Sequence, residues 1–263
     1  MYIFSKFIMI AETCRGRGRT LAWPLKAGAV PGHEGMQQDV QAEADSGKTR
    51  TAEILGVLRD DILAARLVPG EKLRFDELRE TYEIGISPLR EALMHLASEG
   101  LVTTEQRKGY RVAPVSGADL REIAFLRGEF DSLAIRLSIA NGDELWEGRI
   151  LAAFHAMRRR GKIGPDGTVD REWERYHIGF HAELVSECRL PKLLSFRAIL
   201  DLQAQRYRRI AAFHYLKAPR DDVAEHLALR DAVLARDADL AARLIREHYS
   251  RTVEIILAGQ AED

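Results

Sequence analysis

The chain of 263 residues is 46% hydrophobic and 30% charged, and its 39 Lys and Arg against 40 Asp and Glu give a formal net charge of −1. No apolar run approaches the ~20 residues that a membrane-spanning helix needs, so the sequence does not predict such a helix. The balanced charge excludes a general electrostatic attraction to nucleic acid. Any contact with DNA therefore has to come from the local placement of cations. A cytoplasmic protein is expected, because the apolar start lacks a signal-peptide cleavage site and the two lone cysteines, Cys14 and Cys188, agree with a reducing compartment.

Residues 1–46 carry no sustained hydrophobic period and mix glycine, proline and basic residues, as in Cys14–Thr20. This composition predicts a disordered leader. Met36 is an alternative start of translation, in which case the first 35 residues are not part of the protein. At the other end of the chain, residues 259–263 are expected to form a short tail.

Residues 47–115 predict a winged helix-turn-helix, which consists of three helices and a β-hairpin wing. The second helix is short, with Leu78 as its main apolar residue. The third helix is expected to have Ser87 as its N-cap and Pro88 at its first position. The strand-like runs are 101–104 and 110–112, and the apolar residues at helical spacing are Ile54, Leu55, Leu58, Ile62, Leu63, Leu89, Leu93 and Leu96.

The outward face of the third helix is the candidate DNA-reading surface. When Leu89, Leu93 and Leu96 are buried, the opposite side is free to enter the major groove. That side carries Arg90, which can reach a phosphate or a guanine edge, and Ser87, which can donate to a phosphate. The predicted DNA-contacting residues are Arg74 at the start of the second helix, Ser87, Arg90, and Arg107, Lys108, Gly109 and Arg111 in the wing. This segment holds as many Asp and Glu as Lys and Arg, so an ordinary solvated surface remains the alternative.

Residues 116–258 predict an all-α bundle, because helical segments follow one another without a strand-like run. The clearest break between them is the glycine-rich loop at 160–167. The predicted helices cover 117–140, 143–160, 170–187, 190–213, 220–236 and 238–258. Together with the winged segment, this bundle makes the expected fold mainly α-helical.

Four histidines lie on apolar faces of the predicted bundle. His177 and His181 are four residues apart and share a face of one helix. His226 lies 11 residues before Asp237 and His248 lies 11 residues after it, so a hairpin that turns there brings both to the same height, at ~1.5 Å per residue. Two facing imidazoles with a third or fourth from another helix favour a divalent transition metal. Hydrogen-bonded core histidines and a polar ligand pocket without metal remain alternatives.

Four motifs of the winged segment resemble the GntR family of transcription regulators. They are Ile62–Leu73, similar to the family's I..G.L.PG..L, and Ser87–Leu93, Glu99–Val102 and Gly109–Val112, similar to TPVREAL, EGLV and G..V, in the family's order and spacing. The resemblance implies a homodimer that binds a palindromic operator of double-stranded DNA, as a repressor and not as an enzyme. The family usually carries an arginine two residues before the proline, often a base reader, and this chain has Ile86 there. The operator is therefore expected to differ from the family's common one.

From Asp119 on, the chain resembles the FadR-type ligand-binding domain called FCD. Phe180–Leu184 is similar to its FH..L signature, and the two histidines near the C-terminus match its last two. The resemblance implies that the chain binds Zn, Ni or Mn, with zinc first among them. The implied metal ligands are His181, His226 and His248, with His177 as a fourth because it stands where many members have an aspartate.

A small organic acid is the effector that this resemblance implies, because some members bind its carboxylate at an open position of the metal. Arg127 stands where the family's first sensing helix often carries an arginine, and Arg206 and Tyr207 are expected to bind the acid as well. An exposed basic helix face is the alternative for the latter two. Ser87–Leu93 and Gln205–Arg208 are nearest to the carbon-starvation-induced regulator branch, whose members respond to C5 acids such as 2-hydroxyglutarate.

A metal-dependent, hydrolase-like enzyme with an N-terminal interaction module is the alternative function. A hydrolytic metal site needs an open position and a general base beside it. Glu183 is the only carboxylate close in sequence to His177 and His181, and helical phase turns it away from their face. The regulator is therefore the main prediction.

Overall fold

The computed structural model describes residues 50–105, 109–212 and 220–259, so the predicted leader and the predicted tail beyond Gly259 lie outside the described residues. The chain divides into two compact units between Pro114 and Val115. The first unit contains α1 (described from 50 to 63), β1 (Lys72–Leu73), α2 (Phe75–Thr81), α3 (Ile86–Ser98), β2 (Val102–Glu105) and β3 (Gly109–Val112). The second contains α4 (Gly117–Asn141), α5 (Glu144–Arg158), α6 (Arg171–Leu184), a 3-10 turn (Ser186–Cys188), α7 (Pro191–Ile210), α8 (Asp222–Leu234) and α9 (Ala238–Ala258). The mainly helical fold that the sequence predicts is confirmed.

The first unit combines its helices with a small antiparallel sheet of strand order β1-β3-β2. β2 pairs with β3 from Val102 opposite Val112 to Glu105 opposite Gly109, which confirms the predicted hairpin. β1 lies on the other edge of β3, and its two residues are too few to show an alternating pattern in the sequence. The largest fully buried apolar side chains of this unit are Leu58, Ile62, Leu89, Leu93, Leu96 and Leu101.

The start of α3 differs from the prediction. The helix begins at Ile86 with Gly85 as its extended N-cap, so the assignment of Ser87 as N-cap and Pro88 as first helical residue is wrong. Both residues lie inside the first turn, where N–H groups have no intrahelical partner and proline is tolerated. The N–H of Leu89 donates to the carbonyl of Gly85 over 3.3 Å and closes that turn. Ile86 therefore stands at the tip of the helix.

Capping side chains fix most helix starts of the second unit. The side chains of Ser116, Asp143, Asp170, Asp221 and Asp237 each accept a hydrogen bond from the backbone N–H three residues further on. α7 begins instead with Pro191, whose fixed φ suits the first helical position. The observed helices agree with the predicted segments to within two residues except at two C-terminal ends. There, α6 ends at Leu184 before the 3-10 turn, and α7 ends at Ile210.

The largest apolar core of the second unit involves α4, α5, α6, α8 and α9. Its fully buried side chains include Ile135, Trp146, Ile150 and Phe180. Buried charged and polar side chains interrupt the packing of these helices, and they form one of the candidate sites described below. No helix in the described ranges is long and apolar enough to cross a membrane.

Candidate functional site

The outward face of α3 carries a cation between two apolar side chains. Ser87 and Arg90 are exposed, as the sequence predicts. Ile86, four residues before Arg90, is 48% exposed, and Met94, four residues after it, is 58% exposed. The face therefore presents a hydroxyl, a guanidinium and two apolar groups to solvent.

The start of α3 is suited to an anion. Its first turn contains no acidic residue and its N-cap, Gly85, provides no side-chain hydrogen bond. Glu91 lies one turn further on and accepts from the Thr51 hydroxyl over 3.2 Å, so its carboxylate is bound to α1. The partial positive charge at a helix N-terminus favours a negatively charged partner such as phosphate.

The other predicted DNA contacts lie on α2 and the hairpin. Arg74 is the N-cap of α2, and its exposed guanidinium lies 3.3 Å from the carboxylate of Glu77. Gly109 opens β3 with a φ of +93°, in the left-handed region that favours glycine. Arg107 and Lys108 lie outside the described residues.

Arg111 is hydrogen-bonded within the first unit, and 36% of its side chain is exposed. Its guanidinium donates to the Glu105 carboxylate over 2.8 Å and to the Gly70 carbonyl over 2.5 Å. These bonds link β3 to its partner strand and to the turn before β1. Arg111 therefore has a structural role in the hairpin, and its contact with DNA stays a prediction.

Four buried histidines from three helices converge in the second unit. This histidine tetrad consists of His177 and His181 on α6, His226 on α8 and His248 on α9, exposed by 4%, 2%, 2% and 8%. One ligand nitrogen of each lies within 4.8 Å of the others. The Nε2 atom of His181 is 3.2 Å from that of His177 and 3.2 Å from that of His226. The structure thus brings together all four residues that the sequence singles out.

The donor set of the tetrad fits a transition-metal ion. In a tetrahedral site with metal–nitrogen bonds of about 2.0–2.1 Å, ligand nitrogens lie about 3.3–3.4 Å apart. The two separations of 3.2 Å at His181 are close to this value. A neutral imidazole has only one N–H, so the converging nitrogens of a buried cluster can form few hydrogen bonds with one another. A metal ion can instead accept the lone pairs of all four nitrogens.

Neighbouring groups orient two of the imidazoles. His226 Nδ1 lies 2.5 Å from the Asp222 carbonyl oxygen, and His248 Nδ1 lies 2.9 Å from Glu225 Oε2. An Nδ1–H that donates to these oxygens fixes the tautomer and leaves Nε2 as the metal ligand. The ring of His177 instead stacks on Trp173, with centroids 4.8 Å apart.

Burial keeps the tetrad in its neutral, metal-binding form. It lowers the pKa of His226 to about 4 and is the largest cause of the low pKa of His177, His181 and His248. Repulsion between the imidazoles lowers the last three further. Burial opposes ionisation of Glu225, but hydrogen bonds from His248 and two arginines outweigh it and hold its pKa below the usual value. A carboxylate thus supports a set of neutral ligands.

Two buried arginines lie close to the tetrad. Arg127 on α4 and Arg208 on α7 line a cavity of about 20 Å³ together with Tyr249, and the positive charge of both lowers the pKa of His177. Arg127 donates to Asp201 over 2.5 Å. Its Nε and the Nη2 of Arg208 are buried and have no hydrogen-bond partner among the described residues. Buried guanidinium N–H groups without a partner are suited to a carboxylate.

Two of the predicted effector contacts, Arg206 and Tyr207, lie outside the cavity that Arg127 lines. The hydroxyl of Tyr207 accepts from the Ser116 N–H over 3.0 Å and donates to Asp119 over 2.5 Å, so it holds the start of α4. Arg206 is buried beside the Tyr207 ring, and neither residue lines the Arg127 cavity. Residues two apart on a helix point in opposite directions, which is why Arg208 and not Arg206 accompanies Arg127. The helix carries arginines on several faces, so the sequence alone could not select the one that lines this cavity with Arg127.

Glu183 lies away from the tetrad, as helical phase predicts. Its carboxylate accepts from Arg149 over 2.7 Å and from the Ser186 hydroxyl over 2.9 Å. These contacts occupy it at the surface of α6, and they leave it no part in the chemistry of the histidines.

Two family matches cover most of the described chain. Residues 50–112 match the family described as bacterial regulatory proteins, gntR family, and residues 122–251 match the FCD domain. The first range falls in the unit that carries α3, and the second contains the tetrad and both arginines.

Known proteins resemble the chain over most of their length. It is 36% identical over 201 residues to the HTH-type transcriptional regulator BphR of Paraburkholderia xenovorans, covering 76% of this chain and 82% of BphR. It is 35% identical over 210 residues to the HTH-type transcriptional repressor GlaR of Escherichia coli, covering 78% and 94%. The solved structure of a GntR transcriptional regulator from Rhodococcus aligns with a TM-score of 0.62 at 20% identity, over 80% of this chain and 98% of that one. The last similarity concerns the fold alone.

Proposed function

Because the chain belongs to the GntR family of bacterial regulatory proteins and carries the FCD domain, it is a transcription regulator, and we propose that it represses its operator under the control of a bound metal and a small organic acid. The observation that carries this proposal is the buried histidine tetrad with Arg127 and Arg208 beside it. Such a site combines metal ligands with cations for a carboxylate.

Zinc is the proposed metal, with nickel next. Four neutral imidazole nitrogens suit the later first-row metals, whereas manganese prefers oxygen ligands. His181 is the central ligand, because its Nε2 is 3.2 Å from two other ligand nitrogens. A bound ion, held by the four histidines, would supply Lewis acidity toward a carboxylate of the effector.

The acid is proposed to act by widening the cavity beside the tetrad. The cavity of about 20 Å³ has room for about one water molecule, so an organic acid has to displace its walls. Those walls belong to α4, α7 and α9, and α4 is the first helix after the boundary between the two units. A ligand that prefers the widened state shifts the protein toward it, and a change in operator affinity is the proposed consequence.

Replacing Arg208 with methionine is expected to abolish the response to the acid and leave metal content unchanged, because Arg208 lies beside the tetrad without being one of its ligands. The measurement is fluorescence anisotropy of operator DNA with the full chain, titrated with acetate, glutarate and 2-hydroxyglutarate. Arg243→Met, at an exposed position of α9, is the matched control. A wild-type response in Arg208→Met, or no effect of any acid on wild type, would contradict the proposed effector site.

A homodimer on a two-fold operator is the proposed assembly, since each winged helix reads one half-site. Large apolar side chains support a surface for self-association in the second unit. They are Phe125 and Leu133 on α4 and Phe196 on α7, exposed by 67%, 48% and 56%.

Replacing Arg90 with alanine is expected to weaken operator binding by about 10- to 100-fold, the range for one base or phosphate contact. The measurement is a gel shift of the full chain on DNA from upstream of its own gene, at several salt concentrations. The same titration counts chains per operator, for which two are expected. Arg66→Ala is the control, because Arg66 is an exposed arginine of the same unit bound to Asp61. Wild-type affinity in Arg90→Ala would reject α3 as the reading helix, and no retardation at low salt would reject DNA binding altogether.

A further inference from the structure

The exposed face of α3 carries two apolar side chains that the fold does not explain. Ile86, Arg90 and Met94 are spaced by four residues, so each is turned by about 40° from the last and all three lie on one side of the helix. Ile86 is the first residue of the helix and is 48% exposed, and Met94 is 58% exposed. The buried side of α3 is formed by other residues, Leu89, Ala92, Leu93 and Leu96.

Isoleucine is a poor choice for this position on structural grounds. Its branched side chain loses rotamer freedom in a helix, so alanine or a long polar residue has the higher helix propensity. About half of the residue remains in water, which removes about half of the gain from burial. Single exposed apolar residues are common. This one, however, lies at the N-terminal end of α3, and the N-terminal residues of the reading helix contact base edges in helix-turn-helix proteins.

An apolar side chain beside base edges has one chemical partner in the major groove. The C5-methyl group of thymine is the apolar group exposed there, whereas guanine, cytosine and adenine present hydrogen-bonding atoms. An arginine at the same position would instead bond guanine through O6 and N7. An isoleucine at this position therefore suits an A·T pair, whereas an arginine there would suit G·C.

We propose that Ile86 is a specificity-determining residue that contacts a thymine methyl group in each operator half-site. The inference rests on the proposed role of α3 as the reading helix. Ile86 provides the apolar contact, Arg90 and the first-turn N–H groups hold the phosphate backbone, and Ser87 lies between these two contacts. Met94 is two turns from the helix start and therefore further from the bases, which makes it the matched control.

Selection from a randomised duplex library with the full chain tests this contact. Wild type and Met94→Ala are expected to require thymine at one symmetric position of each half-site, and Ile86→Ala to lose that requirement. Ile86→Arg is expected to select guanine there. All three substitutions are at exposed positions, so the variants are expected to fold.

Replacing the selected thymine with deoxyuridine removes only the methyl group. This change is expected to weaken wild type and Met94→Ala by about three- to five-fold, the effect of exposing one methyl-sized group, and to leave Ile86→Ala unchanged. Selection of G·C by wild type, or equal binding of the deoxyuridine and thymine duplexes, would overturn the inference while leaving the proposed function intact. If no sequence is selected, the proposed function falls as well.

Discussion

Replacing His181 with alanine is expected to lower the metal content of the protein from about one ion per chain to near zero. His181 Nε2 is 3.2 Å from both His177 Nε2 and His226 Nε2. The alanine variant therefore lacks the ligand nitrogen that is close to both of the others. Residues that only support ligands contribute about 10- to 100-fold to metal affinity, and a direct ligand is expected to contribute at least the upper end of that range. Elemental analysis of protein purified without an affinity tag gives the content, and competition with a chelator gives the affinity.

His155→Ala is the matched control for this change, because His155 is an exposed histidine of α5 in the same unit. Its metal content is expected to equal that of wild type. A metal that binds only the folded chain also stabilises it, so a chelator is expected to lower the melting temperature of wild type and His155→Ala but not of His181→Ala. Wild-type protein that contains no metal and takes up none would favour the two other interpretations of the tetrad, hydrogen-bonded core histidines or a polar pocket for the effector.

The tetrad was predictable because helical periodicity fixes most of its geometry. Spacing of four places His177 and His181 on one face of α6. The hairpin of α8 and α9 turns at Asp237, whose side chain caps α9, so His226 and His248 meet at the height that equal distances from the turn require. The mainly helical fold follows from the same periodicity, and the capping aspartates mark the helix starts.

The contacts around the tetrad were not predictable, because they depend on how different helices face each other. Glu225 is adjacent to His226 in sequence, yet it supports His248 on the next helix. Arg206 and Arg208 are both buried on α7, and only the packing of α4 against α7 decides which one lies with Arg127. At α3, serine is the better N-cap residue by propensity alone, but the helix begins earlier and has Gly85 as its N-cap. Local backbone geometry decides this start.

Replacing Asp131 with alanine is expected to destabilise the second unit by about 3–5 kcal/mol, the cost of breaking a buried ion pair. Asp131 on α4 is 1% exposed, accepts from Arg197 Nε of α7 over 2.6 Å and accepts from the Tyr249 hydroxyl of α9 over 2.5 Å. Burial opposes the charge of Arg197, but the attraction of Asp131 outweighs it and the pKa of Arg197 is raised. Arginine cannot lose its proton in a protein, so the alanine variant leaves a buried charge without its closest counter-ion.

Urea unfolding followed by tryptophan fluorescence measures this loss, because Trp146 and Trp173 both lie in the second unit. Asp239→Ala is the control, since Asp239 also pairs with an arginine but its side chain is 89% exposed, and exposed pairs contribute about 0–1 kcal/mol. Adding Arg197→Met to Asp131→Ala is expected to restore part of the stability, because the second change removes the uncompensated charge. If instead Asp131→Ala unfolds like the Asp239→Ala control, the ion pair does not hold α4 against α7. The widening of the cavity by an acid would then need little energy, and binding of the acid would have correspondingly little effect on the position of α4.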